Sequence, residues 1–265
     1  MGRLFEYLLI AGLLYWLYRR WSRPQQEADE SSANHQTKAP RVDAMVSCAT
    51  CGVHLPQNDA IEFDKRFFCE VNHLDRFNAD GWLGSARRVP SPNYDQRPEG
   101  VSIDTVVIHH ISLPPGEFGS KSIEDFFCNR LDPKKHPYFA EIAHLQVSSH
   151  FLITRSGELI QFVPISKRAW HAGASQLFDR ERCNDFSIGV ELEGAGDIPF
   201  EEAQYKTLSK LTILLNEANL IRFFVGHSDI APGRKTDPGQ SFDWRQFSSM
   251  SGISDEKLPF GTLSR

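Results

Sequence analysis

The sequence has no surplus of basic residues: 29 Lys and Arg stand against 34 Asp and Glu, a formal net charge of -5 over 265 residues. That balance gives no global attraction to nucleic acid, so nucleic-acid binding would need a local basic patch. Cysteine is scarce too. Five residues, an odd number, with three close together at Cys48, Cys51 and Cys69 and two isolated at Cys128 and Cys183, make a poor disulfide framework and point to a reducing compartment. Compositional extremes are missing as well. The 15 Pro, 18 Gly and 24% charged residues are spread through the chain, which excludes a fibrous or wholly disordered protein. The length allows one domain with a sizeable core and a smaller module beside it.

No small-residue cleavage site follows the apolar N-terminal stretch Leu4 to Tyr18 (LFEYLLIAGLLYWLY), which argues against a removed signal peptide. Only Glu6 interrupts it, and apolar residues occupy every face of the implied helix, so the helix needs burial on all sides. Residues 1–23 are therefore expected to be a membrane helix; a helix lying in the interface or packed on the protein are the alternatives. Arg19, Arg20 and Arg23 outweigh Arg3, which places everything downstream on the cytoplasmic side of the inner membrane. Residues 24–44 carry neither apolar periodicity nor aromatics and are expected to be a flexible linker.

Residues 45–79 contain Cys48-Ala49-Thr50-Cys51-Gly52 and then Cys69-Glu70-Val71-Asn72-His73. A CxxC turn presents two thiolates to one ion and CxxxH can present a second pair on a helical turn, so a zinc-knuckle-like module with a structural Zn2+ is expected. Phe63, Phe67 and Phe68 would form its apolar plug. His54 competes with His73 as fourth ligand, and buried free cysteines are the plainer alternative. Its protein partner is unknown.

Residues 80–250 read as a larger α/β domain, with residues 251–265 as a tail. Ile103 to His110 and Ser187 to Leu192 are β-branched runs typical of buried strands; Ser149 to Thr154 and Glu158 to Val163 form a hairpin turned at Arg155-Ser156-Gly157. Glu201 to Asn219 has helical spacing, Phe223 to Val225 is a further strand, and Asp243 to Phe247 a short final helix. The alternation predicts a mixed central sheet flanked by helices. His109 ends a strand, His227 follows a strand and a glycine, and Asp237 sits in the loop GRKTDPG, which are the places that deliver metal ligands. On spacing alone His144, His150 and His171 compete with them.

The stretches GWLGSARRVPSPNYDQRP from Gly81, IHHISLPPGEFG from Ile108, FAEIAH from Phe139, RAWHAG from Arg168, ERCNDFSIGVELEG from Glu181 and GHSDIAPGRKTDPG from Gly226 together resemble the AmpD-type N-acetylmuramoyl-L-alanine amidases of the amidase-2 family, over about Gly81 to Phe247. The resemblance implies a fold like that of peptidoglycan-recognition proteins, one catalytic Zn2+ on His109, His227 and Asp237, Glu191 as proton acceptor and Lys235 as stabiliser of the transition state. His110 stands where the family pattern has Asn, which affects substrate contacts rather than the metal. His110, Trp170, His171, Arg182 and Asn184 are candidate substrate contacts, and Arg87-Arg88 could meet substrate carboxylates. Two functions follow: hydrolysis of the bond between (1,6-anhydro-)N-acetylmuramic acid and L-alanine in muropeptide recycling, or a module that binds muropeptides without cutting them. The complete ligand set with Glu191 and Lys235 favours the enzyme.

Overall fold

A computed structural model describes residues 14–18, 44–219 and 221–262. The chain divides into two compact units, Met1–Val42 and Asp43–Arg265. In the first, residues 14–18 form a helical turn with exposed side chains. The remainder of the expected membrane helix, and the linker up to residue 43, lie outside the described residues. Among the described residues no helix is long and apolar enough to cross a membrane.

The second unit opens with two short antiparallel pairs, β1 (Met45–Ser47) with β2 (His54–Pro56) and β3 (Ile61–Phe63) with β4 (Arg66–Phe68), followed by one helical turn, α1 (Val71–Leu74). Next come β5 (Arg87–Arg88), β6 (Tyr94–Gln96), β7 (Thr105–Ile111), α2 (Ser122–Phe127), α3 (Pro137–Ile142), β8 (Phe151–Ile153), β9 (Leu159–Gln161) and β10 (Lys167–Ala169). The chain continues through β11 (Gln176–Leu177), β12 (Arg180–Glu181), β13 (Ser187–Glu193), α4 (Glu202–Ala218), β14 (Phe223–Gly226), α5 (His227–Ile230) and α6 (Trp244–Ser251).

Six strands form the central sheet in the order β14-β7-β13-β8-β9-β5. The first four run parallel, β9 turns back antiparallel on β8, and β5 lies parallel to β9 at the edge, so the sheet is mixed. Parallel strands covered on both faces need apolar residues throughout rather than in alternation, and all seven residues of β13 are buried. On one face Val106, Ile108, Val190 and Leu192 meet Leu208, Leu211 and Leu215 of α4 and Phe247 of α6. Helix α4 starts at a capping box, in which Glu201 and Gln204 satisfy each other's backbone N–H groups. Gln204 also donates to the carbonyls of Ile153 and Glu193, which ties the helix start to the strand ends. On the opposite face Val107 and Val225 pack with Ala172, Cys183, Phe186 and Ile230. Side chains alternate along a strand, so His109 shares this second face with Val107.

Candidate active site

Register brings the predicted residues into one row. Glu191 on β13 is the direct partner of His109 on β7, and Gly226 on β14 pairs with Ile108, so His227 emerges one residue later beside His109. All three lie at the carboxyl ends of parallel strands, where open α/β sheets place their ligands. Asp237 arrives from a loop clipped to α5 by Ser228 N–H, which donates to the Asp237 carbonyl at 2.8 Å.

The three side chains converge on one point. His109 Nδ1 lies 2.9 Å from both His227 Nδ1 and Asp237 Oδ2, and His227 Nδ1 lies 3.0 Å from the same oxygen. Their outer contacts fix which nitrogens carry hydrogen. His227 Nε2 is 3.1 Å from the Ala172 carbonyl, which only accepts, so Nε2 carries a hydrogen and Nδ1 is the atom turned to the cluster. Ser187 Oγ donates to the Cys183 carbonyl at 2.6 Å and so accepts from His171 Nε2–H at 3.1 Å. His171 Nδ1 is then an acceptor, and His109 Nε2–H donates to it at 2.9 Å, leaving His109 Nδ1 bare. Burial, helped by His227, pushes His109 down to about 4, and burial holds His171 well below its ordinary value, so both rings are neutral near pH 7. Two imidazole Nδ1 atoms and a carboxylate oxygen facing one another form a donor set that could hold a cation. Imidazole and carboxylate donors suit zinc, whose tetrahedral shell has edges of about 3.3 Å and would keep a fourth position for substrate or water.

A cavity of about 350 Å³ opens over this cluster, with Glu191, Lys235, Trp170 and His110 on its wall and Leu113 and Tyr138 among its apolar lining. Glu191 is buried and its Oε2 has no hydrogen-bond partner. Burial, reinforced by the Asp237 charge, pushes its carboxyl well above the ordinary value, while Lys235 pulls the other way. A carboxylate raised toward neutrality next to an exposed lysine is suited to receiving a proton.

The other candidates divide. His171 lines the cavity, but its ring is taken up by His109 and Ser187 and rests on Gly189, where an added Cβ would come within 2.5 Å of the imidazole. Asn184 turns away from the cavity, its Oδ1 accepting from the N–H groups of His171 and Ala172 and so fixing the Trp170-His171 turn. Arg182 is exposed, pairs with Asp185 at 2.7 Å and lines a neighbouring cleft with Arg234. Of the competing imidazoles, His144 is exposed away from the cluster, and His150 is held by Gly189 N–H at Nδ1 and the Lys167 carbonyl at Nε2. Arg87 binds Glu124 and Glu158, and Arg88 stacks over Trp82 at 5.1 Å, so neither faces the cavity. Sequence reasoning missed Arg234, which donates to the carbonyls of Ala172 and Ala174, and Ser187; both sit inside the quoted blocks, but nothing in local spacing shows the partners they meet.

Elsewhere in the same unit, Cys48, Cys51, Cys69 and His73 offer ligand atoms that all lie within 4.8 Å of one another, as do those of His109, His227 and Asp237. His54 stands outside this group. Burial opposes ionisation of Cys48, but the N–H groups of Cys51, Cys69 and Thr50 outweigh it and lower the thiol to about 6; desolvation and the neighbouring thiols push Cys69 up to about 12. A single thiolate is favoured until a cation shares the charge.

Known proteins match this architecture closely. The family of N-acetylmuramoyl-L-alanine amidases designated amidase-2 matches residues 99–240. The 1,6-anhydro-N-acetylmuramyl-L-alanine amidase AmpD of Escherichia coli (strain K12) is 56% identical over 169 residues, 63% of this chain and 92% of that protein. AmpD of Citrobacter freundii is 52% identical over 180 residues, 67% of this chain and 96% of that protein. A crystal structure of a selenomethionine derivative of AmpD superposes with a TM-score of 0.64 at 54% identity, covering 64% of this chain and 97% of that one. About a third of the chain thus lies outside the alignment with each of these three AmpD proteins. With its family match spanning more than half the sequence and its cavity built on the matched strands, the chain belongs to the N-acetylmuramoyl-L-alanine amidases of the amidase-2 family.

Proposed function

We propose that this protein is a zinc-dependent amidase that hydrolyses the amide bond between N-acetylmuramic acid, in its 1,6-anhydro form, and the L-alanine of the stem peptide, in muropeptide recycling. The observation that carries this reading is the meeting of His109, His227 and Asp237 with Glu191 and Lys235 in one cavity. His109 and His227 through Nδ1 and Asp237 through Oδ2 would hold the zinc. When bound, the metal supplies Lewis-acid polarisation of the scissile carbonyl and acidification of water. Glu191 Oε2 takes the proton from the attacking water and returns it to the departing L-alanine nitrogen, so that the amide C–N bond breaks to a carboxylic acid and a free amine. The Lys235 ammonium faces the oxyanion that develops on the former carbonyl. Trp170 and the apolar wall at Leu113 and Tyr138 hold the sugar and peptide and keep bulk water away. The test is release of stem peptide from a 1,6-anhydromuropeptide by the full chain, followed by mass spectrometry. An intact muropeptide that binds zinc-loaded protein and is never cut would favour the binding-module alternative.

The same reading places the amidase on the cytoplasmic side of the inner membrane, tethered by the N-terminal segment. Its support is the hydropathy of Leu4 to Tyr18 and the arginines that follow. A reporter enzyme that works only in the periplasm, fused after Asp29, should stay inactive; an active fusion overturns the placement. We further read residues 45–79 as a small module with a structural zinc on Cys48, Cys51, Cys69 and His73.

A further inference from the structure

The small cysteine-bearing module lies outside the residues matched by the amidase family, and the amidase chemistry assigns it no task. Its four ligand atoms have the spacing of a tetrahedral shell. Cys51 Sγ and Cys69 Sγ are 3.7 Å apart, and His73 Nδ1 is 3.5 Å from Cys48 Sγ and 3.1 Å from Cys69 Sγ. Zinc with three thiolates and one imidazole has edges of about 3.8 Å between sulfurs and about 3.5 Å between sulfur and nitrogen. All the cysteines are free. Glu70 Oε1 sits 3.0 Å from His73 Nε2, which puts the hydrogen there and turns the Nδ1 lone pair toward the thiols, as carboxylates behind metal-binding histidines do.

Within residues 45–79 only Cys48 and Phe68 are fully buried hydrophobic residues. A segment of fewer than about 40 residues with so small a core needs a metal or a larger neighbour to stay folded. Here the neighbour is the edge of the amidase sheet. Arg66, at the start of β4, donates to the carbonyls of Gly84 at 3.0 Å and Ala86 at 2.7 Å, while its guanidinium lies over the Phe68 ring at 5.6 Å. Asp64 accepts from the Arg88 N–H at 3.1 Å, occupying a donor of the edge strand β5 that β9 leaves free. The peptide that carries the ligand His73 is in direct contact with the same segment. A Cβ on Gly84 would come within 2.6 Å of the His73 carbonyl and 2.5 Å of the Leu74 carbonyl. One residue earlier, Leu83 is wholly buried in the main core and its N–H donates to Gln161 of β9. A sheet edge of two residues has little pairing of its own and is ordinarily protected by a covering element.

Resting on the reading of this cluster as a zinc site, we propose that Cys48, Cys51, Cys69 and His73 form a metal-dependent clamp: zinc fixes the module in the shape that docks on residues 83–88 and thereby holds the edge strand β5 on the amidase sheet. The ligand-bearing turn and the docking surface are one continuous piece of backbone, so the metal and the sheet edge are energetically linked.

Cobalt substitution of the full chain, with zinc content and hydrogen exchange, tests this. The thiolate-rich site should give near-ultraviolet thiolate-to-cobalt absorption, which the two histidines and one aspartate of the cavity cannot produce. A full chain that takes up no second equivalent of zinc and, when loaded with cobalt, lacks that band overturns the metal site itself. Given the band, Cys51→Ser with Cys69→Ser should lose one metal equivalent and speed amide exchange at residues 83–88 and 159–161 by about tenfold or more, with β13 little changed. Loss of the metal with unchanged exchange at those residues overturns the clamp and leaves the metal site standing. Should the double variant fail to fold, Gly84→Ala decides: it keeps every ligand and should retain the metal while exchange at 83–88 rises. Unchanged exchange in that variant also refutes the clamp.

Discussion

Four imidazoles occupy the centre of the amidase domain, and the contacts of their second nitrogens separate their tasks. His109 and His227 expose Nδ1 to the convergence point, His171 backs His109, and His150 is locked between Gly189 and Lys167. His171→Phe keeps a ring on Gly189 but leaves His109 Nε2–H without its acceptor. Zinc affinity, measured by competition with a chromophoric chelator, should fall about 10- to 100-fold; unchanged affinity would remove His171 from the account. His150 provides a pH prediction. Burial first, then the Arg97 charge, lowers it to about 3 from an ordinary 6.5. The unfolded chain therefore takes up a proton as pH falls through about 6.5, while the native protein does so only near 3. Its stabilising contribution is complete above about pH 6.5 and is lost progressively as pH falls toward 3. Nitrogen chemical shifts should show a neutral ring with hydrogen on Nε2 at pH 5, and a doubly protonated ring there would contradict the burial argument. Strand ends made His109, His227 and Asp237 candidates, the resemblance singled them out from the competing imidazoles, and the structure brings their ligand atoms together. The work of His171 was hidden because it depends on a cross-strand glycine and on Ser187, and neither proximity is written in local spacing.

Among the elements, long ones with strong patterning were readable. The strands at 105–111 and 187–193, the hairpin around Gly157 and the helix at 202–218 lie where their apolar patterns put them. The helices Ser122–Phe127 and Pro137–Ile142 were not foreseen, since six residues do not complete two turns and carry no periodicity. Strand order was equally hidden: β14 pairs with β7 across more than a hundred residues, a choice made by the closing of both sheet faces. Helix α4 closes one of those faces, and Leu211 sits wholly inside the contact. Leu211→Ala removes about three carbons from a packed core and should cost about 2–5 kcal/mol in urea unfolding. A loss below about 1 kcal/mol would mean that α4 is not the cover that supports the row from His109 to Glu191.

For the whole molecule, the amidase domain and the cysteine-bearing module share one compact unit, Asp43–Arg265, whose cavity stands on parallel strand ends. The relatives align with nearly all of their own length, so the domain carries the complete amidase framework, and what this chain adds lies outside it. The central claim is that Glu191 moves the proton in a metal site built by His109, His227 and Asp237. Incubating the zinc-loaded full chain and its Glu191→Gln variant with a 1,6-anhydromuropeptide, and following products by mass spectrometry, tests this directly. The account predicts free stem peptide and anhydro-N-acetylmuramic acid from the unaltered chain, and a rate about 10²- to 10⁴-fold lower from the variant with its zinc retained. Equal rates from both proteins, or no cleavage by zinc-loaded unaltered chain that still binds the muropeptide, would contradict it.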